Sequence, residues 1–152
     1  MKRDELVEEF LRASRALVGL SVQSVAAAPV EVTLVQHRLL VLLAARGEQT
    51  VGDIAAELGV NPSNATRHCD RLQRLGLVER RRSEQDGRVV QIALTGAGRE
   101  VVEAVSARRR DQVRQVLDGM AVEDVEAVLA GLRAFSDAAH ESAERDWVTV
   151  LG

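Results

Sequence analysis

The chain has 152 residues, of which 46% are hydrophobic and 28% are charged, and its net charge is −3. This is the composition of an ordinary globular protein and excludes an intrinsically disordered chain. A single Cys excludes a framework of disulfides and predicts a cytoplasmic location. The longest apolar stretch, residues 39–45, is too short to cross a membrane, and the acidic N-terminus lacks the apolar core of an export signal. We therefore expect neither export nor a membrane partner.

The charge is unevenly distributed along the chain. Residues 61–99 contain eight Arg against four acidic residues, a local charge of +4. From residue 115 to the end there are two Arg against eight acidic residues, a local charge of −6. Surface charge scattered at random would not concentrate the positive excess in one segment. The pattern favours a nucleic-acid-binding segment joined to a separate region that binds other partners.

The first predicted element is a helix over residues 3–28, and Pro29 ends it. Two apolar rows run along this helix, which predicts that it is covered on two sides. Thr33 is a suitable cap for a second helix that runs to Arg46, where Gly47 follows as a stop signal.

Residues 50–76 have the pattern of a helix-turn-helix. Thr50 is a good helix cap, and Asp53 three residues later matches the capping-box spacing. Gly59 ends this short helix, and Asn61-Pro62 begins the next one with a cap and a proline at the first helical position. The second helix carries one stripe of small and apolar side chains, namely Ala65, Cys69, Leu72 and Leu75.

A basic hairpin is predicted to follow. Residues 77–82 and 89–95 have strand-like composition, and Asp86-Gly87 marks a turn between them. The connecting loop is longer and more charged than a tight hairpin requires, which is typical of an extended wing. A short helix, a turn, a second helix and a basic hairpin together predict a winged helix-turn-helix, whose second helix enters a DNA major groove.

Two further helices are predicted, one from Gly98 to about Gly119 and one from about Glu123. The apolar side chains expected to face inward on the last helix are Val125, Val128, Leu129, Leu132 and Phe135. The predicted fold class is therefore mostly α with a small β-hairpin wing.

We expect two modules. Residues 31–98 would form the winged helix-turn-helix lobe, and residues 1–30 and 99–148 a helical dimerisation module built from both chain ends. The terminal helices carry more apolar surface than one small lobe can cover, which predicts a homodimer. An unusually apolar tail is expected to pack on the dimerisation module, and it comprises Trp147, Val148, Val150 and Leu151.

The polar face of the second helix-turn-helix helix has the residue types that read DNA. Short hydroxyl and amide groups and Arg match base edges and phosphates. The candidate major-groove residues are Ser63, Asn64, Thr66, Arg67 and Arg71. In the wing, Arg88 is the candidate for the minor groove, with Asp86 holding it extended; an inconsequential surface ion pair is the alternative. Arg81 and Arg82, with Arg80, are predicted to contact phosphates.

Several short motifs carry a family resemblance, in order and spacing: Asn64-Ala-Thr-Arg67, Asp70-Arg71-Leu72, Gly76-Leu77-Val78, Asp86-Gly87-Arg88 and Leu94-Thr95-Gly96, followed by Gly98. The chain from about Thr33 to Glu100 resembles the multiple antibiotic resistance regulator (MarR) family by motif, and the terminal helices resemble it by layout. The resemblance implies a homodimer with a triangular helical dimer module and two winged-helix lobes. It also implies binding to pseudo-palindromic promoter DNA, usually as a repressor, and often release by a small anionic or aromatic effector.

By the same resemblance, the five candidate residues of the helix fall at major-groove positions, Arg88 at the minor-groove position and Asp86 at its orienting partner. Two features depart from the family pattern. Ala121 stands where a capping Ser or Thr is frequent. The first helix has no Cys and the chain has no Tyr, which argues against the peroxide-sensing branch of the family.

Three other side-chain types are candidates for chemistry. His37 and Arg38 lie near the expected cleft between lobe and dimerisation module, where His37 could bind an effector carboxylate; a satisfied packing residue is the alternative. Cys69 is on the inward stripe, which favours packing over a redox role. His37, His68 and His140 lack metal-site spacing, so no metal or cofactor is expected.

The sequence therefore predicts a sequence-specific regulator of transcription that binds double-stranded DNA. One alternative is an enzyme with an accessory winged helix, but the sequence has no glycine-rich phosphate loop, nucleophile elbow or metal cluster. Another is a winged-helix architectural or protein-interaction module without an effector.

Overall fold

The computed structural model describes residues 2–147. Within that range the chain is mostly helical, with one antiparallel hairpin, which confirms the predicted fold class. The elements are α1 (Lys2–Val25), α2 (Leu34–Arg46), α3 (Val51–Leu58), α4 (Pro62–Arg74), β1 (Val78–Arg82), β2 (Val90–Leu94), α5 (Gly96–Asp118) and α6 (Val122–Ala138), with a 3-10 turn at Glu144–Asp146. None of the described helices is long and apolar enough to cross a membrane.

Side-chain caps set most of the helix starts. At α2, Gln36 N–H donates to Thr33 Oγ1 over 3.2 Å while Thr33 N–H donates to Gln36 Oε1 over 3.0 Å, a complete capping box. At α4, Asn64 N–H donates to Asn61 Oδ1 over 2.8 Å. Thr95 caps α5, which therefore begins two residues before the predicted start. Ala121 supplies no side-chain cap to α6, as its residue type predicts.

The hairpin packs onto the end of the helix-turn-helix. Val78 pairs with Leu94 and Arg82 with Val90, so the register leaves residues 83–89 to form the tip of the wing. Gln49, just before α3, forms a bridge with Ile92 through two backbone hydrogen bonds of 3.1 and 2.7 Å. The wing is thus anchored to the helical part of the lobe at its base, while its tip projects freely.

One continuous core holds α2, α3, α4, the hairpin and the first half of α5. Leu39 and Leu43 from α2, Ile54 from α3 and Leu72 from α4 are fully buried in it. The start of α5 contributes Val101, Val102 and Val105 to the same cluster. The buried core thus includes residues on both sides of position 98, where the sequence predicts the boundary between the two modules. The division into two modules therefore stays a prediction.

The terminal helices leave large apolar surfaces uncovered. No residue of α6 is buried, and Leu132 and Phe135 are 49% and 51% exposed. The expectation that the apolar row of α6 faces inward is therefore wrong for a single chain. Both apolar rows of α1 are also largely exposed, although Phe10 stacks on Phe135 with ring centroids 4.4 Å apart. Large exposed apolar patches are typical of surfaces that bind a partner.

The C-terminal tail is only partly within the described residues. Trp147 packs against the main core, next to α2 and α5, rather than on the exposed face of α6. Val148, Val150 and Leu151, which are predicted to pack on the dimerisation module, lie outside the described residues.

Candidate nucleic-acid interface and adjoining cavity

Helix α4 turns its apolar stripe into the core and its polar face outward. Ala65, Cys69 and Leu72 are fully buried, while Ser63 and Thr66 are exposed. Ser63 Oγ donates to Asn61 Oδ1 over 2.8 Å, and Thr66 Oγ1 donates to Pro62 O over 2.9 Å. Each hydroxyl donates its proton within the protein, so its oxygen lone pairs stay free to accept a hydrogen bond from a ligand. The first turn of α4 therefore offers acceptors on an accessible surface.

The same face carries two guanidinium groups. Arg67 donates to the side-chain oxygen of Asn64 one turn earlier, which keeps the amide and the guanidinium side by side at the surface. Arg71 is exposed, and its guanidinium makes no hydrogen bond or ion pair with any residue from 2 to 147. The structure thus places all five candidate residues of α4 on one face, where their polar atoms contact one another or the start of the helix, or are exposed to solvent.

Arg88 stands at the tip of the wing. Its side chain is 93% exposed, and its Nε lies 3.4 Å from Asp86 Oδ1, which also accepts the Arg88 backbone N–H over 3.1 Å. The carboxylate thus contacts both the backbone and the side chain of Arg88. An ion pair this exposed contributes little to stability, and an orienting role for Asp86 stays a prediction.

The two other basic residues of the wing are engaged within the protein. Arg82 donates from Nη1 to Gly87 O over 2.8 Å, which supports the turn at the tip. Arg81 contacts Glu79 and Glu48, the latter at 3.1 Å. Two carboxylates offset the charge of Arg81, so Arg82 is the better placed of the two for a phosphate. A phosphate-contacting role for either residue stays a prediction.

Arg80 forms a link that the sequence did not reveal. Its Nη2 lies 2.6 Å from Asp70 Oδ1, and its Nη1 donates to the side-chain oxygen of Gln73. Both partners are on α4, whereas Arg80 is on β1, so the contact joins the helix to the wing. Its side chain is partly buried between them. The only local signal was the alternation along β1, which points Arg80 to the side opposite its neighbours.

Cys69 is a packing residue by geometry. It is fully buried on the inner stripe of α4, and burial raises the pKa of its thiol. A protonated, inaccessible thiol reacts slowly with oxidants. No group of three His, Cys, Asp or Glu side chains within residues 2–147 comes together in a way that could hold a metal ion.

A cavity of about 460 Å³ lies between α2, α5 and residues 141–147, which we call the C-terminal segment. It brings both candidate effector residues, His37 and Arg38, to one wall. His37 is only 4% exposed, and its Nε2 has no hydrogen-bond partner within the described part of the chain. An effector-binding role and a packing role for His37 both stay predictions. Burial, and the positive charges of Arg109 and then Arg38, lower the pKa of His37 to about 4.

Comparison with known proteins assigns the arrangement to a family. A family model described as "MarR family" matches residues 31–89. The crystal structure of RV1404 from Mycobacterium tuberculosis is 33% identical, with a TM-score of 0.86 over 94% of this chain and 97% of that one. Sco5413, a MarR family transcriptional regulator from Streptomyces coelicolor, is 30% identical, with a TM-score of 0.62 over 92% and 96% of the two chains. This chain belongs to the MarR family.

A curated relative has the same coarse function in its name. The HTH-type transcriptional regulator YfiV from Bacillus subtilis is 32% identical to this MarR-family chain over 108 residues, which cover 71% of this chain and 68% of YfiV. The chain is thus a MarR-family transcriptional regulator with a winged-helix fold of the DNA-binding type. The family is one of transcriptional regulators.

Proposed function

We propose that this regulator is a homodimeric repressor that binds pseudo-palindromic promoter DNA and is released by a small effector. The observation that carries the proposal is the shared exposure of the α4 face and of Arg88 at the wing tip. A helix can lie in a major groove while an Arg at a hairpin tip reaches the neighbouring minor groove. Repression is what the family resemblance implies.

Each DNA-facing residue has a proposed role. In the first turns of α4, Ser63 and Thr66 would accept from base amino groups through their free lone pairs, and Asn64 would donate from its amide to a base edge or a phosphate. Arg67 would pair with a guanine, and Arg71 further along the helix with a base or phosphate. In the wing, Arg88 would enter the minor groove with Asp86 as its orienting partner, and Arg81 and Arg82 would lie near the backbone.

The exposed apolar faces of α1 and α6 support the homodimer. Single chains do not leave rows of half-exposed Leu, Val and Phe side chains without a partner surface, and two-fold assembly covers the same face on both copies. In this proposal residues 1–30 and 99–148 form the dimerisation module, and residues 31–98 the DNA-binding lobe. Two lobes related by two-fold symmetry would match a pseudo-palindrome with half-sites about one helical turn apart.

The cavity beside His37 and Arg38 supports the effector. It lies between the lobe and the terminal helices, so a bound ligand would contact elements of both proposed modules. Its cationic side chains favour an anionic ligand, and apolar walls from Leu34, Val41 and Trp147 would accept an aromatic or aliphatic body.

The proposal is tested by selecting bound sequences from random double-stranded DNA with the full chain, and by sedimentation of the protein at micromolar concentration. We expect an enriched two-fold symmetric motif and a dimer. A monomer would overturn the assembly. Equal binding to all sequences would instead support the alternative of an architectural winged-helix module without an effector.

A further inference from the structure

The C-terminal segment folds back across the cavity after a defined turn. At the end of α6, His140 adopts a left-handed conformation with φ of +57°, and Glu141 N–H donates to Ser136 O over 3.0 Å. A residue other than Gly in this conformation is uncommon, and it reverses the chain direction here. The reversal sends residues 141–147 over α2 and α5 instead of away from the protein.

Two carboxylates of the segment pair with basic side chains around the cavity. Arg38 donates from both terminal nitrogens to the two oxygens of Glu141, each over 2.9 Å. Glu144 accepts from Ser106 Oγ over 2.9 Å with one oxygen and pairs with Arg110 through the other. The bidentate contact to Arg38 and the bridging contact of Glu144 are the kind that a bound carboxylate ligand makes.

Two polar groups of the cavity are left unused by the segment. The buried Nε2 of His37 has no partner within residues 2–147. Arg109 donates to Ser24 Oγ over 3.1 Å but has no carboxylate partner in the described chain. A second cavity of about 280 Å³ shares Ser106, Arg109 and Glu144 with the first, so the Glu144 side chain lies at their boundary. The site therefore offers an anion two polar groups, Arg109 and His37, that the carboxylates of the segment do not contact.

We propose that the C-terminal segment is a built-in competitor for a small carboxylate ligand. With the segment docked, Glu144 fills the anion position at Ser106 and Arg110. A ligand carboxylate takes that position, reaches the unused Arg109 and His37, and displaces the segment. The ligand carboxylate replaces that of Glu144 at Ser106 and Arg110, and Arg38 exchanges Glu141 for solvent as the segment leaves. This inference rests on the effector-dependent part of the proposed function.

The experiment uses benzoate as the probe and Trp147 as the reporter. Trp147 is the only tryptophan, the chain has no tyrosine, and the side chain packs against the core as part of the segment. Benzoate is titrated into the full-length protein without DNA while the tryptophan emission and the heat of binding are recorded. We expect a shift of the emission to longer wavelength as the segment leaves the core, with the same midpoint as the heat.

Two matched variants separate competition from a general charge effect. Glu144→Gln weakens the competitor without changing its size, and we expect it to bind benzoate about fivefold tighter than the wild type. Asp146→Asn removes the same charge two residues away, where the side chain is 64% exposed and contacts only Arg145 at 3.9 Å. We expect it to bind like the wild type. Arg109→Gln, checked for folding by circular dichroism, should bind at least tenfold more weakly.

Three results would overturn the inference. These are an unchanged emission at saturating benzoate, equal affinity of Glu144→Gln and wild type, and no benzoate binding by any folded variant. Loss of sequence-specific DNA binding would overturn the proposed function instead, because the fluorescence titration contains no DNA. The two failures are therefore distinguishable.

Discussion

His37 should make the protein lose stability as the pH falls from about 6.5 to about 4. Its pKa drops from 6.5 to about 4 on folding, chiefly because the imidazole is buried. Between these values the unfolded chain binds a proton that the folded chain rejects, so unfolding is favoured as the pH falls. At about 1.4 kcal/mol for each pH unit, the full loss amounts to about 3 kcal/mol.

The measurement is urea unfolding at several pH values between 4 and 7.5 for the wild type and His37→Gln. The glutamine cannot titrate, so the difference between the two pH dependences isolates His37, whatever the variant costs at neutral pH. The hydrogen bond to Arg38 lowers the pKa of Glu141 below the ordinary 4.5, so the stability that Glu141 contributes starts to be lost near pH 4.5, at the acidic edge of this window. Both proteins contain Glu141, so the difference between their pH dependences cancels this loss.

We expect the wild type to lose about 3 kcal/mol more than His37→Gln between pH 7 and pH 4. Parallel curves for the two proteins would refute the argument that His37 is held neutral by burial. A steeper loss in His37→Gln would show that the titrating group lies elsewhere.

Four further outcomes are expected. DNA binding should weaken by about 10³–10⁵ between 50 and 200 mM salt if ~6–10 phosphates are contacted, despite the acidic net charge; a flat log–log plot of affinity against salt would exclude this electrostatic binding. Arg67→Ala should cost ~1–3 kcal/mol of discrimination at one base step of each half-site, whereas Arg88→Ala should weaken binding most at sites with A·T-rich flanks. Affinities measured on a panel of single-base operator changes separate the two effects. Uniform weakening across the panel by Arg67→Ala would show that Arg67 contacts a phosphate. Gly98→Ala should destabilise the protein by several kcal/mol in thermal unfolding, because the new Cβ would lie 2.2 Å from Leu77 O, while Gly96→Ala, with nothing within 4 Å, should be near neutral. Cys69→Ala should cost about 1–3 kcal/mol in urea unfolding and leave DNA affinity unchanged with or without peroxide; release of only the wild type by peroxide would contradict an inert thiol.

Local signals predicted most of the helix boundaries. Thr33, Thr50 and Asn61 are caps in the structure because the interaction spans three residues and needs no tertiary context. The start of α5 was missed by two residues, although Thr95 carried the same signal. The buried stripe of α4 followed from its helical spacing alone, which is why Cys69 could be placed inside.

The contacts that link distant parts of the chain were beyond sequence reasoning. Arg38 and Glu141 are 103 residues apart, and nothing in either neighbourhood indicates that one meets the other. The tie from Arg80 to α4 depends on how the hairpin packs, which local propensity does not determine. Helical spacing also identified the apolar row of α6 but not the surface that covers it. Periodicity shows which face of a helix is apolar, and it does not show what that face packs against.

The tie between Arg80 and α4 has a consequence for the geometry of the DNA site. Because Asp70 and Gln73 hold the base of the wing on α4, the protein itself sets the spacing between the helix that carries Arg67 and the wing that carries Arg88. In the proposed binding mode, the bases that they read must then keep a constant helical phase. One inserted base pair would shift the second contact by about 3.4 Å and rotate it by about a tenth of a turn. The lobe would thus measure distance along the duplex as well as base identity.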